Sequence, residues 1–203
     1  MHDTIFSNAK KKEKIVNFKQ SGTITDAGTM TAKFASYDPV PDSYGDVCAP
    51  YFLADSVEKR LKAGKTFPLC YHHDLTWIVG AVDNIEERAD GCYCTAHFFD
   101  TPKAQEVREY VKSGAVHQMS FAYNIKEQGL ITLKDGTKAN QLRKCDLIEI
   151  SITANPAQPL CVIESIKGKP DAWENMKERT IREADQQRTL SRAKDILQRN
   201  GAK

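Results

Sequence analysis

The feature of the sequence that most restricts the fold is a series of short segments that are apolar or alternate between apolar and polar residues. The longest covers residues 141–153 and includes Leu142, Ile150 and Ile152. Shorter segments of the same kind occupy residues 66–71, 77–82, 85–89, 92–98 and 115–123. A period of two is typical of β-strands with one buried face. The sequence therefore predicts a mainly β domain.

Two segments carry helix signals and are predicted to flank the strands. Residues 50–65 have an apolar side and end near Gly64, and residues 101–113 begin at Thr101, a good N-cap. Between the strands we predict turns at residues 26–28, residues 90–91, Gly129 and residues 135–136. A long loop rich in Pro, Asp and Gly covers residues 37–46, and loops of this length often carry function.

Composition divides the chain into three parts. Residues 1–16 are polar and lysine-rich and are predicted to form a tail, whereas residues 17–167 hold the apolar segments and are predicted to form the β domain. Beyond Gly168 the chain is highly charged and has few apolar residues. Residues 168–203 are therefore predicted to form a charged extension that is helical or disordered.

Charge and hydropathy argue against two classes of partner. The 203 residues include 29 basic and 27 acidic side chains, so the net charge of +2 does not indicate a nucleic-acid binder driven by charge. No apolar stretch approaches the roughly 18 residues that a membrane span needs, and we expect no membrane association. The six cysteines are scattered among apolar neighbours, so we expect reduced core residues rather than disulfides or a zinc site.

Three polar residues lie in or at the end of apolar segments, where burial without a partner costs free energy. His73 ends one such segment, and Ser120 and Glu149 lie inside two others. A buried carboxylate is acceptable when it is hydrogen-bonded to a histidine. The economical arrangement is a chain in which Glu149 orients His73, and His73 accepts the proton of Ser120 so that the serine acts as a nucleophile.

Each of these residues also has a structural interpretation. A serine in a strand commonly bonds the backbone, and His73 could belong to an exposed turn. Glu149 could pair with a lysine or face solvent on an edge strand, and Asp146 or Ser151 could take its place. Pattern alone leaves these alternatives open, because a triad is defined by geometry and not by sequence order.

The segments that carry these residues resemble, in order, the motifs of tailed-phage prohead proteases, which are capsid maturation serine proteases related in fold to herpesvirus assemblin. The resemblance covers roughly residues 20–165. It rests on residues 35–52, 68–80, 114–123 and 147–157. The chain departs from the family pattern in two places. The block around Ser120 lacks the second glycine, and two histidines stand at the histidine step, of which His73 is preferred because Asp74 follows it.

The resemblance implies a small closed or nearly closed β-barrel flanked by helices, with Ser120 as nucleophile, His73 as base and Glu149 as third member of a triad. It implies a serine endopeptidase without a cofactor that cleaves itself and the scaffolding region of the major capsid protein. Its implied partners are that capsid protein and further copies of itself. Its implied location is the bacterial host cytoplasm, inside the assembling prohead, with residues 168–203 as a self-cleavage or scaffold-contact region.

Two other functions fit parts of the sequence. A non-catalytic capsid assembly or scaffold protein would keep the β domain and the helical extension, but it has no need of Ser120, His73 and Glu149. A metal-dependent hydrolase could use His72, His73 and Asp74, but no convincing further ligand motif accompanies them.

Overall fold

The computed structural model describes residues 14–17, residues 28–166 and five positions of the C-terminal part, residues 182, 183, 186, 189 and 190. Strands dominate the described part, so the prediction of a mainly β protein with flanking helices is confirmed. In chain order the elements are β1 (Lys14–Asn17), β2 (Thr29–Ser36), β3 (Asp46–Cys48), α1 (Ala54–Lys62), β4 (Pro68–Tyr71), β5 (Asp74–Arg88), β6 (Gly91–Phe98), α2 (Pro102–Lys112), β7 (Gln118–Thr132), β8 (Lys138–Thr153) and β9 (Ile163–Ile166).

The described strands form one mixed sheet in the order β3-β8-β4-β5-β6-β2-β9, with β1 added on β5 and β7 on β8. Strand β8 runs parallel to β3 and β4, and the other pairs are antiparallel. The amide of Met119 donates to the carbonyl of Cys161 at 2.8 Å, and the amide of Ile163 donates to the carbonyl of His117 at 2.9 Å. These bonds link the start of β7, which pairs with β8, to the segment that leads into β9 at the far end of the strand order.

The core is a cluster of buried apolar side chains contributed by the sheet and by both helices. On β2 alternate residues are buried from Met30 to Phe34, as the sequence pattern predicts, and on α2 the buried side chains are Ala104, Val107 and Val111. The hydroxyl of Thr101 accepts a hydrogen bond from the amide of Ala104 and caps α2. The largest fully buried apolar side chains are Phe34, Phe52, Phe67, Met30, Leu53, Leu69, Met119, Leu142, Ile150, Ile152 and Ile163. All six cysteines are free, and five of them are buried, as expected for reduced core residues.

The hairpin of β7 and β8 is longer than predicted. The turn predicted at Gly129 is wrong, because Gly129 pairs with Gln141 inside the ladder and the strand continues to Thr132. A Cβ at Gly129 would lie only 3.0 Å from the guanidinium of Arg143, so the glycine leaves room for that side chain. The chain reverses only near Gly136, whose φ of 84° requires a glycine-like backbone.

Two other boundaries differ from the prediction. Strand β5 begins at Asp74 rather than at residue 77, and it continues through residues 85–88 as the alternation predicts, with a bulge between Val82 and Asn84. The first helix begins at Ala54 rather than at residue 50, and Tyr51, with a φ of 64°, is not helical.

The predicted terminal segments are described only in part. Residues 14–16, assigned to the tail by composition, belong to β1, which pairs with β5 between Asn84 and Glu87. The predicted turn at residues 26–28 lies outside the described residues except for Gly28. Of the predicted extension 168–203, the five described positions are helical and exposed, and the rest lies outside the described residues. Within the described part of the chain, no helix is long and apolar enough to cross a membrane.

Candidate active site

Two histidines form the turn between β4 and β5. Tyr71 pairs with Asp74, so only His72 and His73 connect the strands, with φ values of 53° and 62°. Positive φ at both central residues is what a two-residue type I′ hairpin requires, and Gly, Asn or Asp usually occupies these positions. For other residues the left-handed region costs about 1–2 kcal/mol each. The turn is therefore strained by its own sequence and must be held by its surroundings.

Strand β8 provides that support. The amide of His72 donates to the carbonyl of Ile152, and the amide of His73 donates to the hydroxyl of Ser151, both at 3.0 Å. Strand β4 runs parallel to β8 beside these residues, with Tyr71 opposite Ile152. The backbone of the turn is thus fixed to the strand that also carries Glu149.

The imidazole of His73 is hydrogen-bonded to Glu149. Its Nδ1 lies 2.7 Å from Oε1 of Glu149, whose side chain is 1% exposed, whereas the His73 side chain is 41% exposed. The second carboxylate oxygen, Oε2, accepts a hydrogen bond of 2.5 Å from the hydroxyl of Ser151. Both oxygens of this buried carboxylate therefore have partners, as a buried charge requires. With Nδ1 donating to the carboxylate, Nε2 is the nitrogen left to accept a proton.

Ser120 lies on β7 directly opposite Ser151 of β8. Ser120 and His73 line the same cavity, which has a volume of about 270 Å³. Met119, fully buried, and Phe121, which packs edge-on against Phe34 and Phe52, anchor the strand on either side of the serine. No described side chain hydrogen-bonds the Ser120 hydroxyl, which leaves it open to the cavity.

His72, Asp74 and Asp146, which the sequence left open as other site residues, have different partners. Nδ1 of His72 lies 3.2 Å from the hydroxyl of Thr153. Oδ1 of Asp74 accepts from the amide and the hydroxyl of Thr76, which lowers the pKa of the Asp74 carboxyl. Asp146 forms an exposed ion pair with Lys126 at 2.9 Å. Among the described residues no three His, Cys, Asp or Glu side chains converge as a metal site would require.

Ser151 joins the site as a partner of Glu149 and of the His73 amide, a part that sequence pattern alone did not assign. The available signal was its spacing, since residues 149 and 151 lie on one face of a strand. Its complete burial, with 0% exposure, comes from the sheet and was not readable from the sequence.

The predicted loop at residues 37–46 forms one wall of the cavity and carries three aspartates on it, Asp38, Asp42 and Asp46. Oδ1 of Asp42 accepts from the amides of Tyr44 and Asp46, at 2.9 and 3.0 Å. Burial nevertheless raises the pKa of the Asp42 carboxyl. The length of this loop suggested a function, but only the fold shows that its carboxylates line the cavity that Ser120 and His73 share.

Comparison with known proteins gives a family match and similarities to solved structures. The family model described as caudovirus prohead serine protease matches residues 16–179. No curated protein gives a significant match. Among solved structures, the chain is similar to the KSHV protease in complex with a hexapeptide phosphonate inhibitor, with 9% sequence identity, a TM-score of 0.41 and coverage of 77% of each chain.

Proposed function

The chain belongs to the caudovirus prohead serine protease family, and on this premise we propose that Ser120, His73 and Glu149 form its catalytic triad. The family makes the protein a capsid maturation protease that acts inside the assembling capsid. The observation that carries the residue assignment is the 2.7 Å hydrogen bond from Nδ1 of His73 to Glu149, beside the cavity that also holds Ser120. A non-catalytic scaffold protein would not need a histidine in a strained turn that is hydrogen-bonded to a buried carboxylate.

In the proposed reaction each residue has one task. Glu149 accepts the Nδ1 proton and so keeps Nε2 of His73 free to act as a base. Ser120 attacks the carbonyl carbon of the scissile peptide while Nε2 takes the hydroxyl proton, and the same proton then passes to the leaving amine. Water, deprotonated by His73 in turn, attacks the resulting ester and releases the new carboxyl terminus and the free serine.

We assign the scaffolding region of the major capsid protein, and the chain itself, as substrates. The family supports capsid proteins of the prohead as partners. A half-buried serine in an open cavity suits an extended segment that is threaded past it rather than a folded surface. Self-cleavage within residues 168–203, the charged extension, follows from the same proposal.

Covalent labelling tests the proposal directly. A fluorophosphonate probe reacts with a serine only when a base activates it, so the folded protein is expected to gain one probe mass on the peptide that contains Ser120. Tandem mass spectrometry after digestion locates the adduct, and heat-denatured protein is the control that should stay unlabelled. An adduct on another serine, or none, would contradict the assignment.

Ser151 is expected to affect the rate of this chemistry although it touches no substrate. Ser151→Ala removes the donor to Oε2 of Glu149 and the acceptor of the His73 amide. Bonds to buried charged groups contribute roughly 1.5–3 kcal/mol each, so we expect the labelling rate of Ser120 to fall by about tenfold or more. The matched control is Ser165→Ala, an exposed serine on β9, which should label at the wild-type rate. Equal rates in the two variants would show that Ser151 only fills space.

A further inference from the structure

The cavity beside Ser120 has an uneven distribution of charge. Its described lining includes Asp38 and Asp42, from the loop between β2 and β3, and Asp46, the first residue of β3, and it contains no lysine or arginine. Among the described residues that line the cavity, His73 is the only basic one. A substrate that reaches Ser120 therefore enters a space whose field favours a positive group.

The carboxylates of Asp42 and Asp46 are held by neutral donors. Asp46 accepts from the amide nitrogen of Asn140 at 2.7 Å and from the hydroxyl of Tyr123 at 3.3 Å, and Asp42 accepts from backbone amides. Such donors fix the position of a carboxylate without cancelling its charge. Within the described part of the chain, neither aspartate forms a salt bridge with lysine or arginine.

Without a bound cation, burying the Asp42 carboxylate beside Asp46 costs free energy. The raised pKa of Asp42, which desolvation causes first, shows that its negative charge is poorly solvated in the cavity wall. The nearby charge of Asp46 acts in the same direction. A cation placed between the two carboxylates would offset both the desolvation of Asp42 and its repulsion by Asp46, because an opposite charge favours the ionised form of a carboxyl group.

The rest of the lining suits the stem of a long basic side chain. Apolar residues such as Val47, Met119 and Phe121 line the same cavity as the serine and the aspartates. Tyr123, which contacts Asp46, lies three residues beyond Ser120 on β7, or about 10 Å along a strand. Lysine and arginine place methylene stems on apolar surface and carry the charge to the far end.

We propose that Asp42 and Asp46 select substrates with a lysine or arginine within about three residues of the scissile bond. The inference rests on the proposed function, since the cavity is a substrate site only if Ser120 is the nucleophile. Beyond the proposed function, the inference names the chemical class of the preferred substrate side chain and the two residues that recognise it. The carboxylates take no part in bond cleavage, so they are specificity residues and not catalytic ones.

The test measures cleavage preference with the full chain. A peptide library made by digesting a bacterial proteome with a glutamyl endopeptidase keeps internal lysine and arginine, and mass spectrometry of the products gives the residues around each cut. We expect lysine and arginine to be enriched at one position. In the best-cleaved peptide, replacing that residue with norleucine, which keeps the stem and removes the charge, should lower kcat/KM by about tenfold or more.

The variant Asp42→Asn/Asp46→Asn keeps the shape and one acceptor oxygen at each position and removes both charges. It should bring the ratio of kcat/KM for the lysine and norleucine peptides close to one, and it should still be labelled at Ser120 by the fluorophosphonate. Asp100→Asn, an exposed change outside the cavity lining, should keep the wild-type ratio.

The possible failures are distinguishable. Cleavage that depends on Ser120 but shows no preference for a basic residue, or a preference that survives the double variant, would overturn the inference and leave the proposed function intact. The absence of both cleavage and labelling in the wild-type chain would overturn the proposed function, and the inference would fall with it.

Discussion

Ser120→Ala is expected to remain at full length under conditions in which the wild-type chain trims itself. Without the hydroxyl no acyl-enzyme can form, and the rate of peptide hydrolysis should fall by about 10⁴-fold or more. Intact-mass spectrometry of the purified chains over time measures the effect. Ser113→Ala, an exposed serine at the end of α2, is the matched control and should be trimmed at the wild-type rate.

The same variant should be folded, which separates loss of chemistry from loss of structure. The Ser120 side chain faces the cavity and is hydrogen-bonded to no described side chain, so removing its oxygen leaves no buried donor without a partner. We therefore expect the free energy of unfolding to change by less than about 1 kcal/mol. If the variant and the wild type are trimmed alike in purified form, Ser120 is not the nucleophile.

The sequence was informative where burial and polarity conflict. Glu149 lies inside an apolar run, and the cost of burying a carboxylate predicts a specific partner. The fold brings His73 to it across parallel strands of one sheet, at 2.7 Å. The strand pattern was equally readable, because alternation over 141–153 reports directly on which face is buried.

The rest of the site depends on backbone conformation and strand register, which local sequence patterns do not reveal. The left-handed backbone of His72 and His73 could not be predicted, because histidine is not a residue that turns of this type usually select. The part played by Ser151 depends on the register of β4 and β8, which places it under the turn. Gly129 was misread as a turn because only the register of β7 and β8, which pairs it with Gln141, shows that the ladder continues there.

The turn also makes the two histidines a matched pair for experiment. They are adjacent, both have positive φ, and both donate a backbone amide to β8, but only His73 reaches Glu149. Asparagine tolerates the left-handed conformation better than most residues, so His72→Asn and His73→Asn should each preserve the turn. Any difference in activity between the two variants then reports on the imidazoles rather than on the backbone.

His73→Asn should lose the general base, and we expect both self-cleavage and fluorophosphonate labelling to fall by about 10³-fold or more. His72→Asn loses only the contact of its ring with Thr153 and the edge of Tyr71, and it should keep activity within about fivefold of the wild type. Circular dichroism and thermal midpoints of both variants check that each is folded. The reverse order of activities would make His72 the base, and it would show that the hydrogen bond between His73 and Glu149 is structural.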